Sequence, residues 1–177
     1  LSIIPDRNER EIMKEKIIVL FITFLISVPA YAIEPVTNII EQKNAPLKIT
    51  LYSASYRGGG NYTSEGIRHS VIYRNVTIEK IAATEIGFVS FNVWNEYINL
   101  TRGTSISEIM PDGTGEGIWT ANAYGDSAFL TGFAYVSKVR FVDGRIWTAD
   151  LNALVLELRK IQQDFDLQKL KDTLSKE

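Results

Sequence analysis

The side chains that could do chemistry in this sequence are few, and their spacing limits what they could do. There is one histidine, His69, and no cysteine. A Ser-His-Asp enzyme needs its imidazole held beside a nucleophile. His69 instead alternates with Ile67, Val71 and Tyr73 in a period of two, the pattern of one face of a strand. It is expected to be a partly buried or edge-strand residue. With one histidine and no cysteine there is no Cys/His set for structural zinc, no thiol nucleophile and no disulfide, so neither metal nor cofactor is expected.

Carboxylates are the next candidates. Asp112, Glu116, Asp126 and Asp143 fall in segments that read as loops. Glycoside hydrolysis needs two carboxyl groups at a defined separation, and no spacing pairs any two of these four. Asp112 and Asp143 each precede glycine, which is ordinary turn chemistry. Asp112 and Glu116 are calcium candidates that lack the D-x-[DN]-x-[DN]-G pattern of an EF-hand loop. GTGEG and YRGGG have the glycine density of a phosphate loop, but neither leads into Lys-Ser or Lys-Thr. Both are expected to be loops.

Aromatic residues carry more weight. Trp94, Trp119 and Trp147 accompany Tyr52, Tyr56, Tyr62, Tyr97, Tyr124 and Tyr135. Most should fill the core. Rings left on the surface would suit sugar stacking or a protein contact. The binding candidates are Trp119, Tyr124 and Trp147, with Arg140 as a cation stacked on Trp147.

The elements that must position these residues begin after a distinctive leader. Lys14 and Lys16 are followed by the apolar run Ile17 to Val28 and then by Pro-Ala-Tyr-Ala ending at Ala32. Basic, apolar, small-x-small is the layout of a secretory signal peptide. The apolar run falls short of the roughly 20 residues needed to span a bilayer. Residues 13–32 are therefore read as a cleaved signal peptide, with the mature chain starting at Ile33. Residues 1–12 precede the natural start at Met13 and are read as a non-native or misannotated extension. Exported eukaryotic domains lean on disulfides, so a cysteine-free exported chain points to a bacterial envelope or to secretion. The charge balance, 19 Lys+Arg against 21 Asp+Glu, offers no basic block for nucleic acid. N-x-[ST] sequons stand at Asn61, Asn75 and Asn99.

Residues 33–46 read as an extended polar leader and 47–149 as a β domain. LKITLYSASYR puts Leu47, Ile49 and Leu51 on one face. TEIGFVSFNVW carries Ile86, Phe88 and Trp94 on one side and Val89, Phe91 and Val93 on the other, which predicts a central strand covered on both faces. FAYVSKVRFVDGRIW predicts a hairpin with Phe133, Tyr135, Val139 and Phe141 on one face. Its two-residue turn at Asp143-Gly144 would set Phe141 opposite Ile146 and Arg140 opposite Trp147. From Asp150 as N-cap, Leu151, Leu154, Val155, Leu158, Ile161 and Phe165 form an amphipathic stripe. Leu167, Leu170 and Leu174 fall on the opposite side, so a kink or break is predicted near 164–166, with Asp166 capping a second short helix. Residues 150–177 form this helical segment, packed on the sheet and covering Trp147.

The segment HSVIYRNVTIEKIAATEIGFVSFNVW, through Arg74, Asn75, Ile81, Ala83, Ile86, Phe88 and Phe91, resembles the small immunoglobulin-like β-sandwich domains of bacterial exported proteins, FxLYD-like but without the FxLYD signature itself. The resemblance implies an antiparallel immunoglobulin-like sandwich and no particular activity; the C-terminal helix is additional to that pattern. The expected function is an exported, non-enzymatic binding or structural module of the cell envelope, whose partner is a protein or glycan. A carbohydrate-binding domain using surface aromatics is the alternative. A secreted hydrolase with an unrecognised carboxylate pair is a further one.

Overall fold

In the computed structural model the described residues are 34–60, 65–122, 128–168 and 170. The expectations for residues 1–33, for Asn61 and Tyr62, for Tyr124 and Asp126, and for Leu174 and the rest of 171–177 lie outside them. Among the described residues the chain runs β1 (Val36–Ile40), β2 (Leu47–Arg57), β3 (Gly66–Asn75), β4 (Ile81–Asn92), β5 (Tyr97–Ser105), β6 (Thr114–Asn122), β7 (Phe129–Phe141), β8 (Ile146–Thr148) and α1 (Leu151–Leu158). One sheet has the order β1-β7-β4-β5 with β8 also on β7, and the other has the order β2-β3-β6. The protein is mainly β, a sandwich of two sheets followed by a C-terminal helix.

The two-sided apolar pattern of β4 explains the layering. Ile86 and Phe88 enter the core between the sheets, together with Leu47, Ile49, Tyr52, Val71 and Tyr73. Val89 and Phe91 enter a second core on the far side of the same sheet, where Leu154, Val155 and Leu158 of α1 cover them. β4 is therefore central, between β5 and β7. Val93 and Trp94 lie past its end in the turn to β5, so neither continues a strand face.

Two β-bulges change faces that strict alternation had assigned. Thr50 is an extra residue between the pairs Ile49–Tyr73 and Leu51–Ile72. It turns Leu51 outward and Tyr52 into the core, so Leu51 does not share a face with Leu47 and Ile49. Ser137 is extra between the pairs Ile86–Val136 and Glu85–Lys138. Phe133 and Tyr135 accordingly face the helix side, while Val139 and Phe141 face the other sheet. Further register shifts lie at Ser90–Phe91 in the β4–β5 pairing and at Ile81–Ala83 and Phe91–Asn92 in the β4–β7 pairing. A bulge adds one residue on one strand and so reverses the phase beyond it.

The β7–β8 hairpin also departs from expectation. Its pairs are Lys138–Thr148, Val139–Trp147 and Arg140–Ile146, one step from the register of a two-residue turn. The loop has three residues, 142–144. Phe141 N–H donates to Arg145 O, and Gly144 N–H donates to Phe141 O. Gly144 alone takes a left-handed conformation, at φ +93°, as in a type I turn closed by a glycine bulge. Ties from outside the hairpin hold this wider loop: Val142 N–H donates to Lys80 O, and Arg145 pairs with Glu79; within the loop Arg145 also pairs with Asp143. The cation over a ring is consequently Arg145 on Phe141, 4.9 Å from its centroid, and not Arg140 on Trp147.

Two segments read as irregular are strands. The leader contributes β1, which pairs parallel to β7 from Val36–Thr131 to Ile40–Tyr135. GTGEG opens β6, where glycine makes room for rings. A Cβ on Gly115 would stand 2.5 Å from the Tyr73 ring, and one on Gly117 2.0 Å from the Trp119 ring.

The helix starts as expected, with the Asp150 carboxylate accepting from Asn152 N–H. It ends earlier, at Leu158. Arg159 Nε donates to Phe165 O at 2.7 Å and holds the chain in a turn. Helical conformation resumes at 167, after Asp166. The turn lets Phe165, Leu167 and Leu170 join the core that Leu154 and Leu158 already occupy. A straight helix would have pointed Leu167 and Leu170 away.

Candidate functional site

His69 lies fully inside the sandwich. Its ring stacks on Phe88 at 4.4 Å, and Nδ1 shares a 3.0 Å hydrogen bond with the Tyr52 hydroxyl. Burial lowers its pKa to about 4 and raises that of the Tyr52 phenol. The neutral imidazole is a core element on the central strand of its sheet, and not the partly buried or edge-strand residue expected. The loop carboxylates do not converge. Asp112 pairs with Arg74 at 2.9 Å, Asp143 pairs with Arg145, and Glu116 is exposed on the outer face of β6. Hydrogen bonds from the Arg145 backbone and guanidinium lower the pKa of Asp143. Among the described residues no three acidic or histidine side chains are grouped to hold a metal.

The aromatic candidates divide. Trp119 is half-buried, packed on the inter-sheet core 5.7 Å from Phe88, with its ring over Gly103 and Gly117. Trp147 is half-buried where the two cores meet, against the helix side as well as the inter-sheet side. Trp94 is the tryptophan that reaches solvent, at 76% exposure. Arg140 is exposed on β7, apart from these rings in register.

Arg140 belongs to a different grouping, on the part of the first sheet that faces away from the second sheet and is left open by α1. Strand register builds it. Glu85 on β4 stands opposite Thr104 on β5 and Lys138 on β7, and in the next row Ala83 stands opposite Arg140, which stands opposite Ile146 on β8. These residues line a shallow depression of about 150 Å³. The Glu85 carboxylate is anchored at its floor. Ser137 Oγ donates to Oε1 at 2.7 Å, and Lys138 Nζ and Arg102 lie 3.5 and 3.8 Å from the same oxygen. Two cations, Arg102 and Lys138, thus flank the carboxylate, and a third, Arg140, stands in the next row of the same face. The excess positive charge, the Thr104 hydroxyl and the Ile146 side chain suit an anionic group attached to a partly apolar body.

Sequence reasoning reached only Arg140 of this set. Two signals were readable: Lys138 and Arg140 are spaced two apart on one strand, and Glu85 is a charge inside an apolar central strand, where it needs a partner.

No family model and no curated protein matches the chain. Among solved structures, it is similar to a hypothetical protein from Peptoclostridium difficile 630, at 10% identity and a TM-score of 0.47, over 65% of this chain and 92% of that one. A second similarity is to the Northeast Structural Genomics Consortium target SoR45, at 10% identity and a TM-score of 0.41, over 59% and 80%.

Proposed function

We propose that this chain is an exported, non-enzymatic binding module of the bacterial cell envelope that recognises an anionic partner, either an acidic glycan or an acidic protein surface. The observation that carries the reading is the depression on the first sheet, lined by Lys138 and Arg140 on an open face, with Arg102 and Lys138 flanking the anchored Glu85 carboxylate. Charges held by paired strands need little ordering on binding, which favours recognition. The signal-peptide layout of residues 13–32 supports export, and the two packed sheets support the immunoglobulin-like relation.

The test is binding of the purified protein to acidic and neutral envelope polysaccharides and to acidic peptides. Lys138→Glu with Arg140→Glu reverses two exposed charges and should reduce binding at least tenfold, with binding to the native protein weakening as salt rises. Equal binding by native and reversed proteins would refute the reading, as would turnover of an ester, peptide or glycoside substrate that a point substitution abolishes.

A further inference from the structure

Glu85 is a costly residue for a central strand. β4 lies between β5 and β7 and packs apolar side chains on both of its faces. A carboxylate placed there gives up hydration, and this side chain is only 17% exposed. Its Oε1 accepts from Ser137 Oγ at 2.7 Å. That bond does not require a charge, because an amide oxygen in the same place would accept it too. What an amide would not do is offset the cations beside it.

Those cations are neutralised at a distance. Lys138 Nζ and Arg102 Nη1 stand 3.5 and 3.8 Å from Oε1, beyond the usual length of a hydrogen bond but close enough for Coulombic attraction. Lys138 makes no shorter ion pair among the described residues. Arg140 follows Lys138 by two positions on β7, roughly 7 Å along the strand, and stands opposite Ala83 and not Glu85. The carboxylate thus offsets charge at one end of the depression and leaves the other end positive.

We infer that Glu85 is the internal counter-ion of the depression: it offsets Arg102 and Lys138 in the free protein, and a polymer bearing carboxylates binds there against its repulsion. The inference rests on the proposed anionic-partner reading. Affinity is thereby set below what the three cations alone would give. A single small anion beside Lys138 gains little, whereas a polymer that also reaches Arg140 gains a cation that Glu85 does not offset. Glu85 therefore acts on specificity, favouring repeated charges over isolated ones.

Glu85→Gln tests it, because the substitution removes the charge and keeps an acceptor for Ser137. The probes are polyglutamate and polygalacturonate, which carry the same group on a peptide and on a sugar backbone, with dextran as the neutral control. In titration calorimetry at low salt, E85Q should bind whichever acidic polymer the native protein binds about three- to tenfold more tightly. The gap should close as salt rises toward about 1 M, where screening acts within about 3 Å, and dextran should not distinguish the two proteins. Glu85→Thr, which also offers Ser137 an acceptor oxygen, replaces E85Q if the latter lowers the thermal midpoint. Suppose the native protein binds a polymer and loses it on reversal of Lys138 and Arg140, while E85Q binds no more tightly. The inference is then overturned and the anionic-partner reading stands. Weaker binding by E85Q, or a gap that salt leaves unchanged, would overturn it in the same way and make Glu85 an orienting residue. If neither the native protein nor E85Q binds either polymer, the reading fails and the inference with it.

Discussion

Tyr52 on β2 and His69 on β3 share a 3.0 Å hydrogen bond inside the inter-sheet core, a diagonal contact two residues out of step in the strand pairing, where Ala54 is the direct partner of His69. The bond and the stacking of both rings on Phe88 fix the imidazole in a place where its charged form is poorly solvated.

Stability should therefore fall in acid over a defined window. The folded pKa of His69, about 4, lies below its ordinary value of 6.5. Above 6.5 both states hold a neutral ring and the stability is complete. From 6.5 down to about 4 the unfolded chain binds a proton that the folded protein refuses, and stability declines by roughly 3 kcal/mol. Below about 4 the folded protein also binds it and the decline from this group stops. Urea unfolding at pH 7, 6, 5 and 4 should show this slope in the native protein and lose most of it between pH 6.5 and 5 in His69→Leu. An equal slope in both proteins would assign the acid sensitivity to carboxylates.

The helix should be an integral part of the fold. Leu158 is fully buried against the Val89 and Phe91 side of the sheet, whereas Leu156 on the same helix is 63% exposed. Leu158→Ala should cost about 2–5 kcal/mol, and Leu156→Ala should stay within about 0.5 kcal/mol. Equal costs in chemical denaturation would place the helix elsewhere.

Asn75 should be a clamp and not a glycosylation site. Its buried Nδ2 donates to Glu79 O, Ile109 O and Met110 O, while Oδ1 accepts from Thr77 N–H and Oγ1. It joins the β3–β4 and β5–β6 connections from within. Asn75→Asp keeps the acceptor and removes the donor, and should cost at least about 1–3 kcal/mol. Protein made in a glycosylating host should carry no sugar on Asn75 by peptide mass mapping, because a glycan on that nitrogen would displace all three bonds.

Gly87 should tolerate no side chain. A Cβ there would stand 2.2 Å from the ring of Tyr135, which is itself fully buried and has no room to move aside. Gly87→Ala should destabilise by about 1–3 kcal/mol, the usual cost of overpacking a core. A thermal midpoint equal to that of the native protein would show that the ring can shift.

Much of this architecture was written locally. The period of two placed His69, Val71 and Tyr73 on the inner face of β3, and the apolar residues on both sides of β4 made it a central strand. Asp150 capped the helix, and the opposed stripes of 151–165 and 167–174 required the chain to break between them. These are decisions each residue makes with neighbours a few positions away, so a linear reading reaches them. What the linear reading could not reach was set by groups distant in sequence. Whether Asp143-Gly144 closes a two-residue or a three-residue loop was decided by Lys80 and Glu79 holding Val142 and Arg145. Ser137 could be inserted as a bulge because Glu85, from another strand, accepts its hydroxyl. Glycines at 103 and 117 drew Trp119 inward, while Trp94, with a pattern just as apolar around it, passed the end of its strand and stayed outside. Register and ring burial are settled by which surfaces meet, and the basic depression exists only because four strands bring residues 83 to 146 side by side.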